Sequence, residues 1–372
     1  MSKATHSRAT SEPLRILFLT VRADFGGGPE HLWQLLRHCP PYMQAHVACP
    51  RDYPYYEKYA SLIGEQNIFV LPHRAFNVHS FLQLRKFCQK KRIAVLHSHG
   101  KGAGLYSRLM AAITGLPCVH TFHGVHMGAY SRTKKLLYRL LERMLSLVTR
   151  LGIAVSHGEA EQIVAAKLMP ASKLRVIENG VTIPKFSGEV PEPPYRVISI
   201  SRFDIQKNSE FIIDILSALR EQKRLKDFCF VIVGIGPGKT HIENLAQQYG
   251  FERNLHCVGA TLEPGRYFRG ALAYLSTSRW EGMPLAVLEA MAHGLPAVVT
   301  DVVGNCDVVE DEKTGFLYEE GDAVAAAQSL CRLVDFPDIQ KEIAKNAHNY
   351  VREKHDISVM SANTYAILES LC

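Results

Sequence analysis

Short apolar runs rich in β-branched and aromatic residues alternate in this chain with stretches of helical period, and no other feature limits its fold as tightly. The first run, Leu14 to Val21, leads through Arg22-Ala23-Asp24-Phe25 into Gly26-Gly27-Gly28. A helical pattern carrying Leu32, Leu35 and Leu36 begins at Pro29-Glu30. Further strand candidates lie at Ala45 to Cys49, Ile68 to Leu71 and Ile93 to His97, with a helix from near Ser80 to Lys91. Strand followed by helix, repeated, builds a parallel sheet wound on both faces. In such sheets glycine turns present backbone amides to a ligand at the carboxyl edge of the strands.

The chain has 372 residues, too many for one comfortable core. A stretch with four prolines and little to bury, PKFSGEVPEPPY, separates two halves that each begin with a strand. The expected division is a polar tail over 1–13, a first domain over 14–184, a linker over 185–195, a second domain over 196–350 and a closing helix over 351–372 that returns to the first domain.

Composition narrows the setting. A hydrophobic fraction of 47% with 21% charged residues suits a globular protein. No run approaches the roughly 18 apolar residues of a membrane span. The first dozen residues have no apolar core of a secretory signal, so the expected location is the cytoplasm. Nine scattered cysteines without a Cys-x-x-Cys pair fit reduced thiols better than a disulfide or zinc framework. Residues 1–190 carry 25 Lys and Arg against 11 Asp and Glu, whereas the remainder carries 18 against 25. A basic half is therefore joined to an acidic half, and the basic half points to an anionic partner.

The clearest amphipathic helix spans 131–151 (SRTKKLLYRLLERMLSLVTRL). Arg132, Lys135, Arg139, Arg143 and Arg150 fall on one stripe, opposite Leu136, Leu137, Leu140, Leu141, Met144 and Val148. Two readings are open: a helix packed on the first domain with its charges in water, or one whose basic face, or the whole helix, docks on anionic lipid.

In the second half, Phe228 to Gly238 (FCFVIVGIGPG) is a strand entering a glycine loop. Its third glycine falls one residue early for a dinucleotide fingerprint and Pro237 removes an amide, which disfavours a dehydrogenase. The chemistry concentrates instead in WEGMPLAVLEAMAHGLP, residues 280–296. Pro284 suits the first turn of a helix and Gly294 the left-handed position just past its end. Free amides at the start of that helix form an anion site, bracketed by the carboxylates of Glu281 and Glu289. Hexose hydroxyls, a diphosphate and ribose hydroxyls have that layout in a nucleotide sugar.

Two glutamates separated by seven residues, with Gly-x-Pro after the first, resemble the signature of retaining glycosyltransferases of family 4. The resemblance extends from Leu14 over nearly the whole chain, through Thr121-Phe122-His123-Gly124, Leu174 to Val181 (LRVIENGV), Ser201-Arg202-Phe203 with Lys207, and Thr314 to Leu317. It implies an α/β protein of the GT-B fold, two Rossmann-like doubly wound domains facing across a cleft. It implies a donor site of Gly27, Gly28, Arg202, Lys207, Gly282, Met283, Pro284, Leu285 and Glu289, with Glu289 on the ribose and Arg202 and Lys207 on the diphosphate. His123, Glu281, Arg202 and Lys207 become the expected catalytic residues, with Asp24 and His99 on the acceptor side. Ser201 replaces the family's glycine, and Ile235 stands where an acidic residue is usual.

The family also implies retention of anomeric configuration without a metal or other cofactor, and the chain has no Asp-x-Asp motif. The histidines at 97, 99, 120, 123 and 126 fit no standard zinc spacing. The expected donor is a nucleotide-diphosphate sugar, UDP-linked in preference to GDP-linked. The expected acceptor is a glycan or lipid-linked acceptor, with the anionic inner-membrane surface met through the basic first domain and helix 131–151; a soluble small-molecule acceptor is the alternative for an enzyme, and a non-catalytic nucleotide-sugar-binding protein the alternative from another class. Nucleic acid is not an expected partner, because Tyr53, Tyr55 and Tyr56 interleave aromatics with basic surface only weakly.

Overall fold

A computed structural model describes residues 12–125, 130–186 and 188–371. In the first domain the elements run β1 (Leu14–Leu19), α1 (Gly27–Arg37), β2 (Met43–Cys49), α2 (Tyr55–Ile63), β3 (Ile68–Val70) and α3 (Val78–Lys90). They continue as β4 (Val95–His99), α4 (Gly100–Thr114), β5 (Cys118–Thr121), α5 (Arg132–Val148), β6 (Leu151–Ala154), α6 (His157–Ala165) and β7 (Leu174–Val176). The second domain holds β8 (Tyr195–Ile200), α7 (Ile212–Glu221), β9 (Phe228–Val233), α8 (Lys239–Tyr249), β10 (Leu255–Val258), α9 (Gly265–Phe268) and β11 (Ala273–Ser276). After these come α10 (Leu285–Ala292), β12 (Ala297–Thr300), β13 (Gly315–Tyr318), α11 (Ala323–Asp335), α12 (Pro337–Lys354) and α13 (Ile357–Glu369).

Both sheets are parallel. Their orders are β3-β2-β1-β4-β5-β6-β7 and β10-β9-β8-β11-β12-β13, so each reverses direction beside its first strand. That reversal opens a crevice beyond the carboxyl ends of the strands, the place where such folds bind ligands. The chain therefore has the two doubly wound domains of the GT-B architecture. Apart from Arg15 near the start of β1 and Thr300 at the end of β12, these two strands are apolar because helices cover both sheet faces.

The closing helix is in fact two helices. α12 ends at Lys354, His355 and Asp356 turn the chain, and α13 continues from an Asp356 cap whose side chain accepts from the Ser358 amide. Tyr365 on α13 donates to the Leu35 carbonyl at 2.7 Å, which fastens the chain end to α1 in the first domain.

The amphipathic helix is shorter than its expected span, and it packs on the first domain through a face other than its leucine stripe. It stops at Val148, because Thr149 is extended and Arg150 donates its amide to Cys118, starting β6 alongside β5. The residues that face the protein are Glu142, Leu145 and Ser146, with Tyr138 partly covered. Leu137, Met144 and Leu147 are 67%, 68% and 78% exposed, and Leu136, Leu140 and Leu141 are also exposed. The leucine stripe thus points outward with the basic residues, not into the domain. A buried ion pair fixes this orientation: Arg108 of α4 grips Glu142 through Nη1 at 2.6 Å and Nη2 at 3.2 Å, and its Nε donates to the Gly104 carbonyl. Lys173 caps the other end, donating to the carbonyls of Ser146, Leu147 and Thr149.

Candidate functional site

The cleft between the two sheets encloses about 1260 Å³ and is lined by residues from both domains. Its floor on the second-domain side is the loop from Trp280 to Pro284 and the start of α10. Pro284 occupies the cap position just before Leu285, and among the described residues no side chain caps the helix, so its first amides are open there. Gly294, just past the helix, is left-handed with φ of 79°.

The two glutamates differ in setting. Glu281 is buried and pairs with Lys207, whose Nζ lies 2.5 Å from its Oε1. Glu289 is half-buried, in a recess it shares with Glu30, Gln34 and His293. Burial, reinforced by the Glu30 carboxylate, pushes the Glu289 carboxyl up to about 8, while Lys58 pulls the other way. Glu30 itself is held by the Tyr55 hydroxyl at 2.6 Å and by Gln34 Nε2 at 2.5 Å.

Arg202 leaves the end of β8 with its Nε on Asp204 at 2.8 Å and its Nη2 on Gln206 at 3.2 Å. The glycines of the nearby β9 loop explain themselves by this exit: a β-carbon on Gly234 would overlap the Ser201 carbonyl, and one on Gly236 would meet Phe203 backbone at 2.6 Å. Ser201 spans the turn through its hydroxyl, which donates to the Arg202 carbonyl and meets Ser209.

From the first domain, His99 and His123 reach the cleft at the ends of β4 and β5, with His99 Nδ1 3.1 Å from His123 Nε2. Burial first, and neighbouring histidines second, hold both well below the usual imidazole range, so both are neutral near pH 7. His123 takes left-handed backbone with φ of 59°, followed by Gly124 at 102°. His31 joins them from α1; its Nδ1 meets Asn179 Oδ1 at 2.9 Å. Among the described residues, His31, His99 and His123 form a group whose nitrogens lie within 4.8 Å of one another. His99 and His123 already engage each other through Nδ1 and Nε2, and His31 engages Asn179 through Nδ1. His97 is a core residue bonded to Thr121, and His126 lies outside the described residues.

Gly27, Gly28, His99, His123, Arg202, Lys207, Glu281, Gly282, Met283, Pro284, Leu285 and Glu289 all line this one cleft. Asp24 does not. Its carboxylate is turned behind the wall by Arg22, which takes both oxygens, and Arg22 is the residue that faces the cleft.

Three further residues hold the site together without being legible in sequence. Asn179 ties the domains: its Nδ2 donates to the Met283 carbonyl at 2.9 Å while its Oδ1 meets His31. Glu159, fully buried at the start of α6, accepts from the Gly124 amide and from the Val155 amide at 2.7 Å, so it fixes the turn behind His123. Burial pushes its carboxyl up to about 7, against the pull of those two amides. Asp307 bridges the same region, accepting from Gly158 at 3.1 Å and from Gly304 at 3.0 Å, and Gly304 rests on Glu281 and Gly282. The Ser156-His157-Gly158-Glu159 string has the form of a capping box, the one local signal by which sequence reading could have found Glu159.

The arrangement offers hydrogen-bond acceptors at both ends, cations and open amides between them, and a neutral imidazole opposite. Known glycosyltransferases resemble the chain along most of its length. A model of "Glycosyltransferase Family 4" matches residues 25–183 and one of "Glycosyl transferases group 1" matches residues 182–350. An Escherichia coli UDP-Gal:alpha-D-GlcNAc-diphosphoundecaprenol alpha-1,3-galactosyltransferase is 28% identical over 73% of this chain and 74% of its own. The putative glycosyltransferase EpsD of Bacillus subtilis is 25% identical over 72% and 74%. Among solved structures, Anabaena HepE in complex with UDP and glucose superposes with a TM-score of 0.82 at 18% identity, covering 96% of this chain and 100% of that one. The lipopolysaccharide outer core galactosyltransferase WaaB superposes with a TM-score of 0.71 at 17% identity, covering 96% and 99%.

Proposed function

The chain belongs to the group 1 glycosyltransferases of bacterial surface-polysaccharide type, and from that premise we propose that it moves a hexose from a UDP-sugar to a lipid-linked glycan with retention of anomeric configuration. One observation carries the reading: Glu281 with Lys207, Glu289, Arg202, the open amides of α10 and the neutral His123 converge on one cleft between two domains.

In this reading Glu289 holds ribose hydroxyls, and Glu281 and His123 hold hydroxyls of the hexose. A neutral imidazole can give or take a hydrogen bond there without adding charge beside the reacting carbon. Arg202, Lys207 and the α10 amides meet the negative charge that grows on the departing diphosphate, where preorganised donors lower a barrier most. The acceptor hydroxyl attacks on the same face, and a leaving-phosphate oxygen takes its proton. These cations and amides supply the charge stabilisation, so the reaction proceeds without a metal. Closure over the sugar keeps out water that would hydrolyse the donor.

The outward face of α5 supports action at a membrane. It presents Leu137, Leu140, Met144 and Leu147 together with Arg132, Arg139 and Arg143, the composition of a helix lying in a lipid interface. Each basic group near an anionic surface contributes about 1 kcal/mol. An acceptor anchored in the cytoplasmic face of the inner membrane would then be delivered to the cleft in two dimensions.

The test is thermal stability of the purified protein against UDP-, GDP-, ADP- and dTDP-sugars, repeated with Glu289→Ala, followed by transfer of labelled sugar to a lipid extract with chelator present. Ligand binding to the folded state raises the midpoint by mass action. A rise with UDP-sugars that the variant loses, and chelator-resistant transfer to lipid with the donor's anomeric configuration kept, are the expected results. No rise with any UDP-sugar would overturn the donor assignment.

A further inference from the structure

Arg22 and Arg202 belong to different domains and meet at Gly26. The point where a Gly26 β-carbon would stand lies 3.1 Å from Arg22 Nη2 and 3.6 Å from Arg202 Nη1. Both guanidinium groups therefore border the same small space on the cleft wall. Each is aimed by a carboxylate two residues further on. Arg22 sets Nε 2.7 Å from Asp24 Oδ1 and Nη2 3.0 Å from Oδ2, and Nη2 also reaches the Phe25 carbonyl at 3.1 Å. Arg202 sets Nε 2.8 Å from Asp204. Those bonds occupy the Nε side of each fork. Among the described residues neither Nη1 has a hydrogen-bond partner, although each can donate twice.

Two guanidinium groups that border one space on a cleft wall, each with an Nη1 unengaged among the described residues, form an arrangement that an anion between them stabilises. We propose that Arg22 is a further catalytic residue, reaching from the first domain to the terminal phosphate of the nucleotide diphosphate that Arg202 holds from the second. The proposal rests on the UDP-sugar reading above. As the bond between the anomeric carbon and the phosphate oxygen breaks, its electron pair passes to that oxygen. The acceptor oxygen bonds to the carbon, and its proton goes to the departing phosphate. Arg22 meets that charge through Nη1 of a guanidinium already oriented by Asp24, which costs little reorganisation. Because the two arginines sit on opposite domains, the same contact favours the closed cleft when a diphosphate is bound.

Calorimetric titration of the full chain with UDP and with UMP tests this, using wild type, Arg22→Gln and Arg22→Lys. The wild type should prefer UDP. Arg22→Gln should lose about tenfold or more of that preference, the scale of a lost charged hydrogen bond, while UMP affinity stays within about twofold. Arg22→Lys should recover part of it, and kcat for donor consumption should follow the same order. Equal weakening of UDP and UMP in Arg22→Gln would reduce Arg22 to a structural partner of Asp24 and overturn the proposal. An unchanged preference for UDP with a raised acceptor KM would place the phosphate on the acceptor, and also overturns it. If the wild type binds neither nucleotide, the donor assignment itself has failed, an outcome separate from the other two.

Discussion

Gly282 of the donor loop lies directly against Gly124 of the first domain: a β-carbon on Gly282 would stand 2.8 Å from the Gly124 nitrogen and 3.1 Å from the His123 carbonyl carbon. Both neighbours are backbone, so neither can swing aside as a flexible side chain would. The contact joins the loop that carries Glu281 to the turn that carries His123, the two sides of the proposed reacting centre.

Gly282→Ala should therefore hold the domains apart without unfolding either. Misplacement on the scale of an ångström costs about a hundredfold in rate, and a loss of that size in kcat is expected. The midpoint of thermal unfolding should stay near wild type. Steady-state kinetics beside a melting curve checks both halves; a variant that closes and turns over normally would show that this contact does not limit approach.

Glu289 gives a pH dependence with a definite sign. Its carboxyl is raised in the folded state from 4.5 to about 8, so the folded chain keeps a proton that the unfolded chain has released. Stability from this group is present below about 4.5 and is lost as pH rises through about 8. Glu159, raised to about 7, adds to the same slope. The buried neutral histidines, His99 and His123 among them, tilt the profile the other way, so the sign is read from a difference: the melting midpoint of unliganded wild type relative to Glu289→Gln should fall progressively between pH 5 and pH 8. Parallel melting profiles for the two proteins would contradict the assignment.

The α5 surface predicts lipid binding with two separable parts. Leu137→Ser with Met144→Ser removes exposed apolar area, whereas Arg139→Glu with Arg143→Glu reverses charge; all four side chains are exposed, so folding should be unaffected. Co-sedimentation with vesicles containing anionic phosphatidylglycerol should weaken about tenfold or more for each pair. Salt should weaken binding of the wild type and of the apolar variant, because surface charges are screened beyond roughly 8 Å at physiological ionic strength. Vesicle binding that survives both double variants would move the membrane contact elsewhere.

Arg108 and Glu142 are 0% and 3% exposed in their side chains, so each is a buried charge that depends on the other. Arg108→Met alone should destabilise by about 3–5 kcal/mol, since it strands the Glu142 carboxylate. Adding Glu142→Leu should recover most of that loss. Urea unfolding of the two singles and the double gives the coupling directly. The double variant has a second consequence: with an apolar docking face, α5 is free to roll its leucines inward, and vesicle binding should fall even as stability returns.

Much of this molecule is legible locally. Alternating strand and helix patterns, the proline-rich break and the glycines at element ends follow from backbone sterics and side-chain periodicity, which act over a few residues. The same holds for the central motif, where Pro284, Gly294 and the two glutamates stand as local rules require. Boundaries shifted where distant strands intervened, as when β5 captured Arg150 and ended α5 three residues before its apolar period ran out.

What the chain could not announce is which face of an element meets which neighbour. The α5 sequence is amphipathic either way round; a charge 34 residues earlier, Arg108, decides that the face of Glu142 and Ser146 goes in and its leucines go out. Asn179 reads as part of a strand-and-turn string until its amide is found on Met283, 104 residues on. Asp24 and Arg22 stand equally near the glycine turn, and only the bidentate bond between them settles that the guanidinium faces the cleft. Periodicity and turn chemistry are set within a turn or two of backbone, so sequence determines them; the pairing of buried polar groups is settled by desolvation, which exists only once distant segments have excluded water from one another.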